Sequence, residues 1–299
     1  MERGGNGGQR LKTNCEILFE RTRRGARSLR AKSPHATRRG QPGSARAWEL
    51  AGRPAPPRLL PAGQGSGTGA MELPRGPAAT ELPPSHYSAT RAAALAACYI
   101  CHRLGSPGHG LAPRTVRRAH RQDIDGVGHK YYLELVLEDI TDNDRTVNCT
   151  AEVLYHLGNK NIAPDVQFTT EGELQNTDEA DNIFYNRIKS LEKELVAENI
   201  PDSHGNVSPE MQPIQLLAWV ASGFVIWQNS TENTKFQLAQ IKHVKQVKRG
   251  DEYLEFDYKI LLHEMVSQEI IPWQMTVLWH PQHGVQVTQD SRQPKHASE

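Results

Sequence analysis

The stretch Gln122-Asp123-Ile124-Asp125-Gly126-Val127-Gly128-His129-Lys130-Tyr131-Tyr132-Leu133-Glu134-Leu135 decides the fold, because it sets one strand-like run against the next across a glycine turn. Upstream, Arg114 to Gln122 reads as a strand. Downstream, His129 to Ile140, Arg145 to His156 and Asp165 to Glu171 read as three more. The links between these runs are short. A parallel pair needs a crossover of about a dozen residues, so consecutive strands must pair antiparallel.

Helical signals flank this sheet. Ser88 to Leu104 is Ala-rich, with Ser88 placed to cap it and Gly105 and Pro107 placed to stop it. Asp178 to Asn199 carries Ile183, Phe184, Ile188, Leu191 and Leu195 at the spacing of one apolar face, and Pro201 ends it. Then the order starts again. Ser208 to Trp227 reads as a second core helix, with Ser208 capping and Pro209 in its first turn. Strand-like runs follow at Lys235 to Lys248, Tyr253 to His263, Ile270 to His280 and Val285 to Thr288.

Two short matches support a repeat. Tyr132-Leu133-Glu134-Leu135 returns as Tyr253-Leu254-Glu255-Phe256, and Val153-Leu154-Tyr155-His156 returns as Val277-Leu278-Trp279-His280. The expected fold class is α+β: two tandem units, each a helix packed on an antiparallel sheet of about four strands, joined by a linker helix. The domains read as 71–177 and 201–299, with the linker helix at 178–200.

Residues 1–70 differ in kind. They carry 14 Lys and Arg against 4 Asp and Glu, so the chain's net charge of +1 hides an acidic remainder of −9 over 71–299 (21 basic against 30 acidic). Twelve of the 24 glycines also lie there, and such a segment cannot bury enough surface to offset its ordering entropy. We expect a disordered basic extension upstream of a functional start at Met71. A salt-dependent nucleic-acid arm is the competing reading, and it lacks base-reading or stacking chemistry.

The longest apolar-rich run, Ile214 to Trp227, is too short for a membrane span of about 20 residues. No secretory signal is visible, so we expect a cytoplasmic monomer with Cys15, Cys98, Cys101 and Cys149 as thiols. His263-Glu264 opens like a zincin motif, but Ser267 stands where the second histidine belongs, and no metal or other cofactor is expected. Cys98-x-x-Cys101 falls inside a helix rather than at a helix start, where a thiolate would be stabilised. His129, His156 and His280 are dispersed, and the tryptophans of the second half read as core. No catalytic residues are expected.

Each half carries a Gln-x-x-x-Gly frame before its second long strand: Gln122, Ile124 and Gly126 in the first, Gln246, Lys248 and Gly250 in the second. Placed in hairpins after a core helix, these frames resemble the inhibitory hairpin of cystatins, which wedge it into papain-like cysteine proteases. Asp123, Asp125 and Lys248 put charge where a desolvated wedge prefers apolar groups.

A closer resemblance runs from about Glu81 to Glu299. Gly128-His129-Lys130-Tyr131, Val147 to Tyr155, Gly205 to Met211, Ile226 to Glu232 and Ser267 to Met275 all resemble the latexin family. That resemblance implies two cystatin-like domains joined by a helix, with cytosolic, non-enzymatic inhibition of A-type zinc metallocarboxypeptidases. It implies that hairpin loops and the interdomain surface cap the enzyme's funnel. It also places His263, Gln268 and Glu269 in the approaching loop, where Met265, Ser267 and Ile270 complete the expected contact. The polar tail Gln293 to Glu299 is unsuited to an apolar specificity pocket, so insertion of the tail is not the expected route.

Overall fold

The computed structural model describes residues 79–294 apart from 143, 159–161 and 173. The extension at 1–70 therefore lies outside the described residues. Among those described, the order is β1 (Thr80–Leu82), α1 (Tyr87–Leu104), β2 (Leu111–Ile124), β3 (Gly128–Asp139), β4 (Thr146–His156), β5 (Asp165–Glu171) and α2 (Asp178–Lys189). It continues with β6 (Val196–Ile200), α3 (Gln212–Asn229), β7 (Phe236–Val247), β8 (Leu254–Glu264), β9 (Glu269–His280) and β10 (Gly284–Arg292). The sheets run β1-β2-β3-β4-β5 and β10-β9-β8-β7-β6, antiparallel throughout.

The α+β architecture of two helix-on-sheet units is as expected, with corrections in detail. Each sheet has five strands, not about four. The added strands are β1, only three residues long, and β6, taken from the end of the expected linker helix. That helix stops at Lys189 because the following chain finds a partner: Val196 pairs with Lys245 and Ile200 with Ile241 along the edge of β7. The lead-in is fixed by Leu195 N–H donating to Gln246 Oε1 at 3.1 Å and Gln246 N–H to the Leu195 carbonyl at 2.8 Å. Periodicity predicted helix, and strand pairing overrode it. Ile183, expected on the apolar face, is 63% exposed.

The helix starts also shift. His86 caps α1, its Nδ1 accepting from Ser88 N–H at 3.4 Å. The second core helix starts at Gln212 after a turn closed by Met211 N–H to the Ser208 carbonyl at 2.9 Å. Pro213 fixes that start. Proline lacks an N–H, which only the first turn tolerates, so a helix begun at Ser208 would have put it in the interior.

The register between the units is offset by 125 residues in the first hairpin. Leu111 opposite Asp139 becomes Phe236 opposite Glu264, and the irregularities at Pro113/Thr115 and Val116/Arg118 recur at Leu238/Gln240 and Ile241/His243. The Val153 and Val277 runs correspond within this frame, since Cys149 opposite Leu135 becomes Trp273 opposite Ile260. The Tyr-Leu-Glu match does not, because at an offset of 121 it is four residues out of step.

In the first unit the alanines of α1 pack on Tyr131, Leu133, Leu135, Ala151 and Val153; in the second, Ile214, Leu217, Ala218, Ala221 and Val225 of α3 pack on Phe256, Tyr258, Ile260, Met275 and Val277. Val220, on the other side of α3, belongs to the first unit's core. The helices approach closely enough for backbone to meet backbone at Gly223. A Cβ on Gly223 would lie 2.4 Å from the Cys98 carbonyl oxygen, and one on Gly105 2.6 Å from Val220 Cγ2. His102 sits in the same seam, its ring 5.4 Å from that of Phe224. Burial holds its imidazole down at about 4.

Two outcomes follow from the seam. Gly223→Ala forces the helices apart and is expected to destabilise by about 1–3 kcal/mol, whereas Gly250→Ala, with nothing within 4 Å of its added Cβ, is expected to be nearly neutral; urea unfolding of both variants compares them. Because His102 is held neutral, the unfolded state binds more protons between pH 6.5 and 4. Stability therefore falls as pH drops through that window, by up to about 1 kcal/mol per pH unit, and urea titrations should show a shallower fall in His102→Leu.

Candidate functional site

Between the units lies a cleft of about 380 Å³, a size typical of sites at domain interfaces. Its lining comes from corresponding places in the two units: Leu111 to Arg114 and Glu138 on one side, Lys235 to Leu238 and Met265 on the other, with Cys98, Trp219 and Gly223 from the helices.

Met265 opens the β8–β9 turn, Met265-Val266-Ser267-Gln268, which Glu264 and Glu269 close as a cross-strand pair. The turn is built around the Glu264 carboxylate, whose side chain is buried. Oε1 accepts the backbone N–H of Lys235 at 2.9 Å and of Val266 at 3.1 Å, and Oε2 accepts that of Ser267 at 2.6 Å. Burial pushes this carboxyl up, but the backbone donors outweigh it and hold it below the ordinary carboxylate range. Met265 N–H returns a bond to the Lys235 carbonyl at 2.8 Å, tying the turn to the start of β7.

Gln268 takes the left-handed conformation at φ 61°, and its side-chain amide donates to the Met265 carbonyl at 2.6 Å. Glu269 pairs with Arg292 at 3.1 Å. Val266 is 48% exposed and Ile270 43%, so apolar side chains flank the polar ones on the outer surface. The six expected contact residues thus fall together. His263 is half-buried in β8 opposite Ile270, Met265 lines the cleft, and Ser267, Gln268, Glu269 and Ile270 stand at or beside the turn. Sequence reading did not single out Glu264 as the turn's centre or Val266 as its exposed apex; the signal for Glu264 was an acid ending an alternating strand.

The two Gln-x-x-x-Gly frames are not brought to equivalent positions. Gln122 pairs with Lys130, whereas Gln246 pairs with Phe256, so in the common register they are one residue apart and face opposite sides of their sheets. Gln122 is buried and its Oε1 accepts from Tyr132 Oη at 2.8 Å. Gln246, buried toward the helix side, bonds Leu195 and Ile188. Gly126 supplies the expected positive φ of 71°, but Gly250 does not, since the second loop is long enough to turn without it. Lys248 extends its ammonium to the carbonyls of Leu191 and Glu192 at 3.1 and 2.6 Å. It anchors the loop to the segment before β6. Ile124 is half-buried at the end of β2.

The other singled-out residues have structural partners. Cys101 is buried beneath Leu111, whose N–H meets its sulfur at 3.3 Å, and burial pushes its thiol up to about 12, the opposite of an activated thiolate. His156 pairs with Asp165 at 3.0 Å. His280 stacks on His283 with ring centroids 4.7 Å apart. Among the described residues no group of three or more His, Cys, Asp or Glu could hold a metal ion, and no helix is long and apolar enough to cross a membrane.

The cleft keeps its shape only if the units keep their relative placement. Glu232, just after α3, reaches across to the first sheet. Its carboxylate accepts from Tyr131 Oη, meets His129 Nδ1 at 2.7 Å and lies 3.7 Å from Arg121 Nη1. Burial raises its pKa, but the Tyr131 and His129 bonds and the Arg121 charge prevail and lower it. Glu232→Ala leaves the Tyr131 hydroxyl and His129 without this acceptor and is expected to cost about 1–2 kcal/mol. The stability Glu232 supplies is complete above its unfolded pKa and vanishes as pH falls through the folded one. Calorimetry at pH 7 and pH 3 checks both, because the gap between wild type and variant should narrow at the lower pH.

A family model described as Latexin matches residues 82–297 of the chain, leaving the basic segment 1–70 outside the match. Latexin of Mus musculus and latexin of Homo sapiens are each 53% identical to the chain over 216 residues, covering 72% of this chain and 97% of the relative. Ovocalyxin-32 of Gallus gallus is 32% identical over 218 residues, covering 73% of this chain and 79% of the relative.

Proposed function

Because the chain belongs to the latexin family and is thereby a non-enzymatic inhibitor protein, we propose that it inhibits A-type zinc metallocarboxypeptidases, acting as a cytoplasmic monomer built from two copies of one repeat. The observation that carries this reading is the β8–β9 turn, which presents Val266, Ser267, Gln268 and Ile270 outward beside the interdomain cleft. Such an enzyme keeps its zinc at the foot of a funnel. A rigid turn over the rim blocks the funnel without supplying a ligand to the metal, and the flanking interdomain surface adds area toward the ~1,200–2,000 Å² of a stable complex.

The division of labour follows from chemistry. Gln268 and Glu269 offer hydrogen-bond groups of fixed position, and the apolar side chains of Met265, Val266 and Ile270 supply the area that excludes water around them. Inhibition then requires no reaction of this chain, only that the turn is already in its bound shape, so little ordering entropy is lost on docking.

A second reading is favoured by one observation. At the other end of the first sheet the β2–β3 and β4–β5 loops carry exposed Val127, Leu157 and Ile162, with Leu157 N–H bonded to the Val127 carbonyl at 2.8 Å. Joined apolar tips of this kind suit a cystatin-type wedge for papain-like proteases, and the paired charges of Arg121 and Asp123 beside them weigh against it. The second frame offers no such wedge, since the exposed Lys248 puts a charge at its centre and is bonded to the Leu191 and Glu192 carbonyls. A nucleic-acid role would rest on residues 1–70 alone and is disfavoured.

Titration of carboxypeptidase A and papain with the purified protein separates the readings: stoichiometric inhibition of the first alone is expected, and inhibition of papain alone would reverse the assignment. Gln268→Ala combined with Glu269→Ala is expected to weaken carboxypeptidase A inhibition by about tenfold or more. Its melting temperature should fall by no more than about 4 °C, since only a turn hydrogen bond and a surface ion pair are lost. Unchanged inhibition would remove the turn from the mechanism.

A further inference from the structure

We propose that Glu264 is the positioning residue of the contact turn, its buried carboxylate gripping the backbone N–H groups of Lys235, Val266 and Ser267 so that Met265–Gln268 stands in the shape a protein partner docks against. This inference rests on the reading of the turn as the inhibitory contact, and it concerns a residue that faces inward and meets no partner itself.

Consecutive turn residues whose side chains mostly point outward are costly to order, because each loses backbone freedom with little burial in return. Something must hold them, and neither apolar packing nor a disulfide is at hand on the exposed side. Acids are seldom buried without compensation. Glu264 is buried, and its compensation is three backbone N–H groups at 2.6 to 3.1 Å. Bonds from N–H to an ionised carboxylate are about twice as strong as neutral ones. Two of the three donors lie inside the turn and the third lies at the entrance to β7, so one side chain fixes both the turn's internal shape and its place against the neighbouring strand.

The first unit shows the same device in the corresponding position. Asp139, 125 residues earlier in register, ends β3, is buried, and accepts the N–H and hydroxyl of Thr141 at 2.8 and 2.6 Å. There the carboxylate also meets His109 Nδ1 at 2.8 Å, so it is shared between the turn and the core. Glu264, one methylene longer, reaches across to the turn's own N–H groups and to Lys235. An acid at this site is thus a recurrent organiser of the turn, and the second unit commits it to the turn that flanks the cleft.

The test uses Glu264→Gln, which keeps size and removes the charge while placing an amide N–H against backbone donors. Three readouts are taken on the full chain: inhibition of carboxypeptidase A, amide hydrogen exchange at Val266 and Ser267, and inhibition by the same substitution in the Gln268→Ala, Glu269→Ala background. Expected are inhibition weakened about tenfold, exchange at both amides faster by at least about tenfold, and a further loss below about twofold in the double background, where the groups to be positioned are gone. Glu264→Asp should fall between, and it carries the comparison if the glutamine variant does not fold. Wild-type inhibition by the variant, unchanged exchange at the two amides, or an undiminished tenfold loss in the double background would each overturn the proposal. If the unaltered protein itself leaves carboxypeptidase A uninhibited, the inhibitory reading falls, and the exchange rates alone decide whether Glu264 holds the turn.

Discussion

The contact of α1 with α3 at Gly223 is the constraint on which the rest of the structure depends. A helix laid on one sheet needs one apolar stripe, and its remaining surface would face water. Here α3 packs one side on its own sheet through Leu217, Ala221 and Val225 and gives Val220 to the first unit's core. Gly223 lets the chain come within contact distance of the Cys98 carbonyl. The approach is sterically feasible because the residue of α3 that meets the Cys98 carbonyl carries no side chain. Each unit keeps its own core, Val220 of one helix is shared with the other, and the cleft between the units takes walls from both.

Polar groups then fix what apolar packing leaves free. Apolar contact is non-directional and would permit the units to slide against one another. The Glu232 carboxylate, hydrogen-bonded to Tyr131 and His129 and ion-paired at 3.7 Å with Arg121 of the other unit, selects one placement. Asp139 and Glu264 do the same on a smaller scale for the turns that follow their strands. In each case a partly or wholly buried acid is held ionised by donors of fixed geometry, and the same low dielectric that makes burial costly makes the completed network specific.

The fold class was legible because helix and strand periodicities are local. Alternation over His129 to Ile140 and Ile270 to His280, and the Ala-rich run from Ser88, needed no distant partner to be read. Helix ends were less so: Pro209 suits a first turn as well as Pro213 does, and only the cost of Pro213 in a helix interior places the start of α3 at Gln212. The two-unit organisation was legible in outline, while the register between the units was not, because short matches such as Tyr132 to Leu135 against Tyr253 to Phe256 satisfy the alternation at more than one offset. Only the paired irregularities of β2 and β7 fix it at 125, and with it the finding that Gln122 and Gln246 serve different faces.

By itself, the sequence determined that the chain makes two helix-on-sheet units, that its basic front segment differs from them, and that the chain turns from one strand into the next between His263 and Ile270. These follow from spacing and composition, which act along the chain. The tertiary structure decided that Val196 to Ile200 leaves a helical pattern to become an edge strand, that Lys248 is tied across the surface to the Leu191 and Glu192 carbonyls, and that Glu264 rather than its exposed neighbours organises the turn. Each of these depends on a backbone group supplied from another part of the fold. A residue's preference is a matter of a few tenths of a kcal/mol to about 1 kcal/mol, whereas an unpaired buried donor or charge costs more, so the partners that arrive on folding settle what local pattern leaves open.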